Sequence, residues 1–212
     1  IYQKISSPYN YQTIYDAKLA QKDTVGALEY LKSGRKLFPN DVYLMNRETE
    51  IFLQKGQQDK ALANLEAAIL KEPNNAQLEL VLGNVYDNLA NPKGKSGKDT
   101  TKPADFDNLV MKAAGHYKKA IDLKPSNQDS YFNALYNIGA LYNNYGGTLQ
   151  TQANNLPAAQ VKTKGKELEA KSQENYKNAI PYLEQALSIK ADDKSCMIAL
   201  RKLYLLTGNE AN

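Results

Sequence analysis

The sequence lacks several residues and patterns that define common protein classes. Its 212 residues include no tryptophan, one cysteine (Cys196) and one histidine (His116). A single cysteine excludes an intrachain disulfide and a cysteine metal cluster, and it leaves the redox compartment open. No run of about 18 apolar residues occurs, so the sequence predicts no membrane-spanning helix. The formal net charge of +4 is too small to indicate a nucleic-acid partner by itself.

Candidate chemical groups are few. The string GKSGK, at residues 94–98, looks like a phosphate-binding loop, but such a loop needs the spacing G-x4-G-K-[ST]. Leu89 or Pro92, depending on the alignment, stands where the first glycine belongs. His116 has no carboxylate or cysteine at metal-ligand or catalytic spacing, which favours a surface or edge residue, and Cys196 is interpreted as a small buried hydrophobe. We therefore expect no catalytic residue, no metal and no cofactor, and predict that the chain is not an enzyme.

Proline spacing indicates an internal repeat. Pro39 and Pro73 are 34 residues apart, and Pro73 and Pro125 are one such period plus 18 residues apart. Upstream of each proline, and once more near the C-terminus, a small residue, a leucine or tyrosine and a second small residue recur at fixed spacing. The four copies are Ala27-Leu31-Gly34, Ala61-Leu65-Ala68, Ala113-Tyr117-Ala120 and Ala179-Leu183-Ala186. This spacing places the three side chains on one helical face, with proline just beyond the helix end.

A second helical pattern precedes each copy and is clearest in the strings VLGNVY (81–86) and NIGALY (137–142). Together the two patterns resemble the tetratricopeptide repeat (TPR), W-x2-L-G-x2-Y followed by A-x3-F and P. The place of the tryptophan is taken by Tyr11, Met45, Glu79, Leu135 and Met197. The resemblance is to bacterial-type TPR proteins with insertions inside repeats, and it covers about residues 8–209. It implies an all-α fold, a right-handed superhelix of helix-turn-helix repeats.

We interpret the chain as one TPR solenoid with two insertions. No segment has the period-2 pattern of a β-strand. Extra residues at about 88–106 are rich in Lys, Gly, Pro, Asp and Thr and predict a solvated loop. Extra residues at about 147–174 keep near-helical apolar spacing, so we predict a helical hairpin projecting from the fourth repeat, with Gly146 and Gly147 loosening its first helix. The predicted repeats span about 8–41, 42–75, 76–127 and 128–193, before a closing helix at 194–209.

The predicted interaction surface is the concave groove lined by the first helix of each repeat. Side chains facing away from the packing stripe there are mostly amides and tyrosines, which suit hydrogen bonding to an extended peptide backbone. The candidates are Tyr43, Asn46, Glu50, Gln77, Asn84, Asp87, Asn133, Tyr136 and Asn143, and the same register adds Gln12, Asp16, Ser195 and Lys202. The Lys, Asn and Arg pattern of carboxylate-clamp TPR domains is not met, since Gln12 and Asp16 stand where it would begin. The alternative is that these positions are only solvated helix faces.

The favoured hypothesis is a non-catalytic scaffold or adaptor that binds a protein or peptide partner through the groove, the hairpin or both, with no nucleic-acid partner. One alternative is an anionic-ligand or nucleic-acid binder using the basic region 93–124, since residues 91–125 hold eight lysines against four aspartates. Another is a regulatory TPR segment of a longer protein. Because the chain begins without methionine, export to the periplasm is slightly favoured over a cytoplasmic location.

Overall fold

The computed structural model describes residues 7–39, 41–92 and 101–208. Within these ranges the chain is all-α, without any strand, as the sequence predicts. The GKSGK string and the centre of the predicted loop at 88–106 lie outside the described residues. Among those described, no helix is both long enough and apolar enough to cross a bilayer. The chain divides into two compact units after Asn74.

The first unit contains two helical hairpins in its described part. Its helices are α1 (Pro8–Ala20), α2 (Thr24–Leu37), α3 (Val42–Gln54) and α4 (Gln58–Lys71). Asp23 and Asp41 begin α2 and α3 as N-caps, because their carboxylates accept the amides of Gly26 and Leu44. The core packs α1 against α2 and α3 through Tyr11, Tyr15, Ala27, Leu31 and Leu44.

The second unit is built from longer helices. Its elements are α5 (Ala76–Ala90), α6 (Phe106–Asp122), α7 (Gln128–Asn154), α8 (Ala158–Gln160), a π-helical turn (Val161–Gly165), α9 (Lys166–Ile189) and α10 (Lys194–Thr207). The helices α5 and α6 form one hairpin, α7 and α9 form another, and α10 packs on α9. A shared core joins α7, α9 and α10 through Phe132, Leu135, Leu183, Cys196 and Leu203.

Small residues on one helix face large residues on the next, which explains the repeat pattern physically. A Cβ added at Gly83 would lie 2.6 Å from the ring of Tyr117, and one at Gly139 would lie 2.6 Å from Leu183. These distances are too short for a real contact, so only glycine lets the two helices approach this closely. The tyrosine and leucine of the repeat pattern therefore fill the space left by the glycine of the preceding helix.

The predicted hairpin in the fourth repeat is present. Helix α7 runs for 27 residues and α9 for 24, and the two pack together along their length. The expectation that Gly146 and Gly147 loosen the first helix is wrong, because α7 continues through both. Gly146 instead marks a close approach, since a Cβ there would lie 2.7 Å from the ring of Tyr176. The buried hydroxyl of Ser172 also donates to the Gly146 carbonyl at 2.8 Å.

Candidate functional site

A polar cavity of about 1060 Å³ opens in the second unit, between the end of α5, one face of α7, the α7–α9 connection and α10. The hydroxyls of Thr148 and Thr151 also line it, and Leu156 and Leu168 supply apolar surface. Its amide side chains are those of Asn88, Asn91, Asn143, Asn144, Gln152 and Asn155. Amide groups offer both hydrogen-bond donors and acceptors, so this lining can bind another polar chain.

One face of α7 forms the largest part of the cavity wall. Asn143, Gly147, Thr151 and Asn155 follow one another at four-residue intervals, which places them in one row along the helix. Asn144, Thr148 and Gln152 form the adjacent row. Most of this face exists only because α7 continues into the insertion at 147–174.

Three lysines from three different elements surround the cavity. Lys102 lies in the α5–α6 connection, Lys164 in the π-helical turn and Lys202 on α10. Lys102 is held in place, because its ammonium donates to the side-chain oxygen of Asn91 and lies 5.0 Å from the ring centre of Phe106. The other two lysines are exposed. Among the described lining residues, positive charge is therefore in excess over one carboxylate, that of Asp87.

The side chain of Asn143 is an incomplete hydrogen-bonding group in the cavity wall. Its oxygen Oδ1 is buried and accepts no hydrogen bond from the described residues. A buried acceptor without a donor costs about 1–3 kcal/mol. Because the atom is closed to the cavity as well as to solvent, a ligand reaches it only if the Asn143 side chain rotates.

The predicted groove residues of the second unit divide into two groups. Asp87, Asn143 and Lys202 lie together in the cavity lining. Gln77, Asn84, Asn133, Tyr136 and Ser195 are not among its lining residues. Asn84 is occupied internally, because its Oδ1 accepts from the hydroxyl of Tyr117 at 2.9 Å and from Asn137 at 2.8 Å. Tyr136 is half-buried and stacked on Phe132 at 6.0 Å, whereas Asn133 is exposed on α7.

In the first unit the predicted residues mostly contact one another. The hydroxyl of Tyr43 donates to the carboxylate of Asp16. Burial, and then this carboxylate, raise the pKa of Tyr43. Arg47 lies 5.1 Å from the ring centre of Tyr43 and binds Glu50 at 2.7 Å. These side chains form an internal network on α1 and α3.

Gln12 and Asn46 are the remaining predicted residues of the first unit. The amide of Gln12 donates to both carboxylate oxygens of Asp41 at 3.2 Å. That carboxylate is also the N-cap of α3, so the contact connects α1 to the start of α3. Asn46 is half-buried on α3.

His116 has a carboxylate partner, although no carboxylate stands at metal-ligand or catalytic spacing from it in the sequence. Its Nδ1 lies 2.7 Å from Oε2 of Glu79. Its ring stacks on that of Tyr86, with the ring centres 5.4 Å apart. Lys119 forms an ion pair with the other oxygen of Glu79 at 2.5 Å, without hydrogen-bond geometry. No local signal in the sequence indicates this contact, since Glu79 and His116 are 37 residues apart. Elsewhere in the described chain, as here, no three His, Cys, Asp or Glu side chains approach as metal ligands would.

The sequence predicts the segments that hold Lys102, Lys164 and the two threonines, namely the basic region 93–124 and the insertion 147–174, but it does not single out these residues. Lys102 and Lys164 lie in insertions, for which the 34-residue register gives no position. A usable signal was present in α7, where polar or small residues recur every four positions from Asn143 to Asn155. That row continues the predicted groove face into the hairpin.

Comparison with known proteins identifies the fold. No family model and no curated protein sequence matches the chain. The solved structure of the MamA protein, a TPR protein, is similar with a TM-score of 0.54 and 18% identity, over 95% of this chain and 83% of that one. At this identity the likeness shows the fold alone.

Two further likenesses are weaker, and no argument rests on them. TTC0263, a thermophilic TPR protein of Thermus thermophilus, has a TM-score of 0.46 and 15% identity over 94% of this chain and 100% of that one. Human IFIT1, solved as a dimer with m7Gppp-AAAA, has a TM-score of 0.43 and 15% identity over 96% of this chain. This chain spans 52% of the IFIT1 chain.

Proposed function

Because the chain has the tetratricopeptide-repeat fold, we propose that it is a non-catalytic interaction scaffold that binds an extended peptide segment of a protein partner in the amide-lined cavity. The observation that carries this proposal is the concentration of amide side chains on the concave wall formed by α5 and α7. An extended peptide presents an N–H and a C=O at every residue, and amide side chains pair with both. Asn144, Gln152 and Asn155 are exposed in this wall, so their amides are open to such a backbone.

The residue types that line the cavity also favour a peptide over a small substrate. Small-molecule sites usually occupy about 300–1,000 Å³ and are mostly apolar. This cavity is at the upper end of that range, at about 1060 Å³, but two leucines are the only large apolar residues of its described lining. Its threonines and lysines have no histidine beside them in that lining to act as a base, which favours binding over nucleophilic chemistry.

The hairpin and the predicted groove contribute to the same cavity. Asp87, Asn143 and Lys202 come from the predicted groove, whereas Thr148, Thr151, Asn155 and Lys164 come from the insertion. Three predicted groove residues and the insertion, which the sequence treats as separate surfaces, therefore contribute to one candidate surface in the second unit.

The basic region 93–124 gives less support to a nucleic-acid binder. Lys112 and Lys118 lie over the rings of Tyr86 and Tyr142, at 5.2 and 5.7 Å from their centres. Lys119 pairs with Glu79. Of the described lysines in this region, Lys102 alone lines the cavity. Lys93, Lys95 and Lys98 lie outside the described residues.

A cavity-filling variant tests the proposal. Peptides selected from a random display library on the wild-type protein would be measured by fluorescence anisotropy against Asn144→Trp and Asn108→Trp. Asn144 is an exposed residue of the cavity wall, and the indole fills part of the binding volume. Asn108 is an exposed residue of α6 outside the cavity and receives the same substitution.

We expect Asn144→Trp to weaken binding by at least about tenfold, equivalent to about 1.4 kcal/mol, and Asn108→Trp to leave it within about twofold. Far-UV circular dichroism confirms that both variants keep their helix content. Equal binding by the two variants, or a failure of the wild-type protein to select any peptide, overturns the proposal.

A further inference from the structure

We propose that the cavity selects an acidic peptide segment, whose carboxylates are bound by Lys102, Lys164 and Lys202. This inference rests on the proposed function and specifies the chemistry of the partner. The lysines come from three separate elements and line one cavity, whereas the described residues of its lining include a single carboxylate. Such an excess of one charge attracts a ligand segment of opposite sign and speeds its association.

The one carboxylate of the lining is already engaged by neighbouring groups. Oδ1 of Asp87 accepts a hydrogen bond from Asn91 at 2.7 Å, and Oδ2 lies 3.5 Å from the hydroxyl of Tyr117. Asn91 in turn accepts from Lys102. Asp87 therefore helps to orient Asn91 and Lys102, and the part of the lining that the structure describes holds no second carboxylate to offset Lys164 and Lys202.

Two of the three cavity lysines lie in segments that a regular 34-residue repeat does not contain. Lys102 lies in the insertion between α5 and α6, and Lys164 lies in the insertion between α7 and α9. The carboxylate near Lys164 in sequence, Glu167, is paired with Lys171 at 2.7 Å. Two of the three cavity lysines thus belong to the insertions of this chain and not to the shared repeat pattern.

The chemistry of the lining favours carboxylates on a peptide over phosphates on a nucleic acid. No aromatic residue and no arginine occurs in the lining as the structure describes it. Stacking platforms for unpaired bases are aromatic, and bidentate recognition of phosphate uses the arginine fork. The amides bind the peptide backbone, and lysine ammonium groups bind side-chain carboxylates as point charges.

The test uses two fluorescein-labelled peptides of the same length and spacing, one with glutamates and one with glutamines at the same positions in a Gly-Ser background. We expect the glutamate peptide to bind the intact chain at least about tenfold more tightly. The triple variant Lys102→Gln, Lys164→Gln, Lys202→Gln should remove this preference. The control triple Lys166→Gln, Lys177→Gln, Lys194→Gln removes the same charge from exposed positions outside the cavity and should retain it.

Three outcomes overturn the inference. The first is equal binding of the two peptides. The second is an equal loss of affinity for the glutamate peptide in both lysine triples. The third is a uridine oligonucleotide that binds more tightly than the glutamate peptide and depends on the same three lysines. Because Lys102 contacts Phe106, the double variant Lys164→Gln, Lys202→Gln repeats the measurement with exposed positions only.

The same data separate this inference from the proposed function. If library-selected peptides are neutral, are blocked by Asn144→Trp and are unaffected by the lysine triple, peptide binding stands and acidic selection fails. If Asn144→Trp blocks neither the library-selected peptides nor the glutamate peptide, both proposals fail.

Discussion

Glu79 is a charged residue placed where the repeat pattern has tryptophan. Its side chain is 1% exposed and contacts His116 and Lys119 of α6. A buried carboxylate costs several kcal/mol unless it is paired. An ionised carboxylate can only accept, so its contact with Nδ1 of His116 requires a proton on that nitrogen. The partly exposed His116 and Lys119 therefore compensate the burial of Glu79 and connect α5 to α6.

Removing one partner of this pair should cost more than removing both. We expect His116→Leu to lower the free energy of unfolding by about 1–3 kcal/mol, because the Glu79 carboxylate stays buried and loses a donor. The double variant Glu79→Leu, His116→Leu should be more stable than the His116→Leu single variant, since it buries no carboxylate. Urea denaturation followed by circular dichroism measures these two variants and the Glu79→Leu single variant. A double variant as unstable as the sum of the two singles would contradict this explanation.

At the scale of helices, glycine positions distinguish close packing from conformational freedom. Gly146 on α7 faces Tyr176 and the carbonyl of Ser172, which would lie 2.7 and 3.1 Å from an added Cβ. Gly115 on α6 is exposed, and an added Cβ there meets nothing within 4 Å. The same substitution should therefore have opposite effects at the two positions.

We expect Gly115→Ala to stabilise the protein by about 0.5–1 kcal/mol, because alanine is the better helix former. Gly146→Ala should destabilise it by about 1–3 kcal/mol, because the extra methyl group must displace Tyr176 or the α9 backbone. Unfolding midpoints in urea report both changes. Stabilisation by both substitutions would show that α7 and α9 do not require this close approach.

The helices and their pairing were predictable because packing constrains the sequence at fixed spacing. Small residues such as Gly139 must face large ones such as Leu183, and that requirement is visible in one sequence. Cys196 was likewise predicted as a buried hydrophobe, and it is fully buried next to α9. The length of α7 and α9 followed from apolar spacing that continues into the insertion.

Side-chain contacts between polar residues were not predictable in the same way. Tyr43 and Asp16 were both placed on a ligand-facing surface, yet they bind each other. A polar residue at a given register position can face solvent, a ligand or a polar neighbour, and the sequence does not distinguish these cases. Lys102 and Lys164 lie in predicted binding segments but could not be singled out, because insertions have no register and their position depends on how α5 and α7 end.

At the scale of the whole molecule, each of the two units has its own buried core. The first unit packs Leu31 and Leu44 with two tyrosines, and the second packs Leu183 and Leu203 with Phe132 and Leu135. In repeat proteins stability is approximately a sum of local terms, because each repeat contacts only its neighbours. Unfolding should therefore not be a single two-state event.

Cys196 provides a local measure of this behaviour in the second unit. The thiol is fully buried, and burial, with a smaller contribution from Asp193, raises its pKa to about 12. Reaction with iodoacetamide at neutral pH therefore requires α10 to open. Leu203→Ala removes a fully buried side chain of the same core and should cost about 2–5 kcal/mol. Labelling of Cys196 in native buffer should accelerate by at least about thirtyfold.

The matched substitution in the other core, Leu44→Ala, removes an equally buried leucine. It should destabilise the first unit by a similar free energy, measured as a lower urea midpoint for part of the circular dichroism transition. The rate of Cys196 labelling in native buffer should stay within about twofold of the wild-type rate, because the cavity left by Leu44→Ala lies in the core of the first unit. If Leu44→Ala accelerates Cys196 labelling as much as Leu203→Ala does, the two cores unfold as one cooperative unit. In that case a single free energy of unfolding would describe the chain, and the energies expected for Glu79, His116, Gly115 and Gly146 could be read directly from global unfolding.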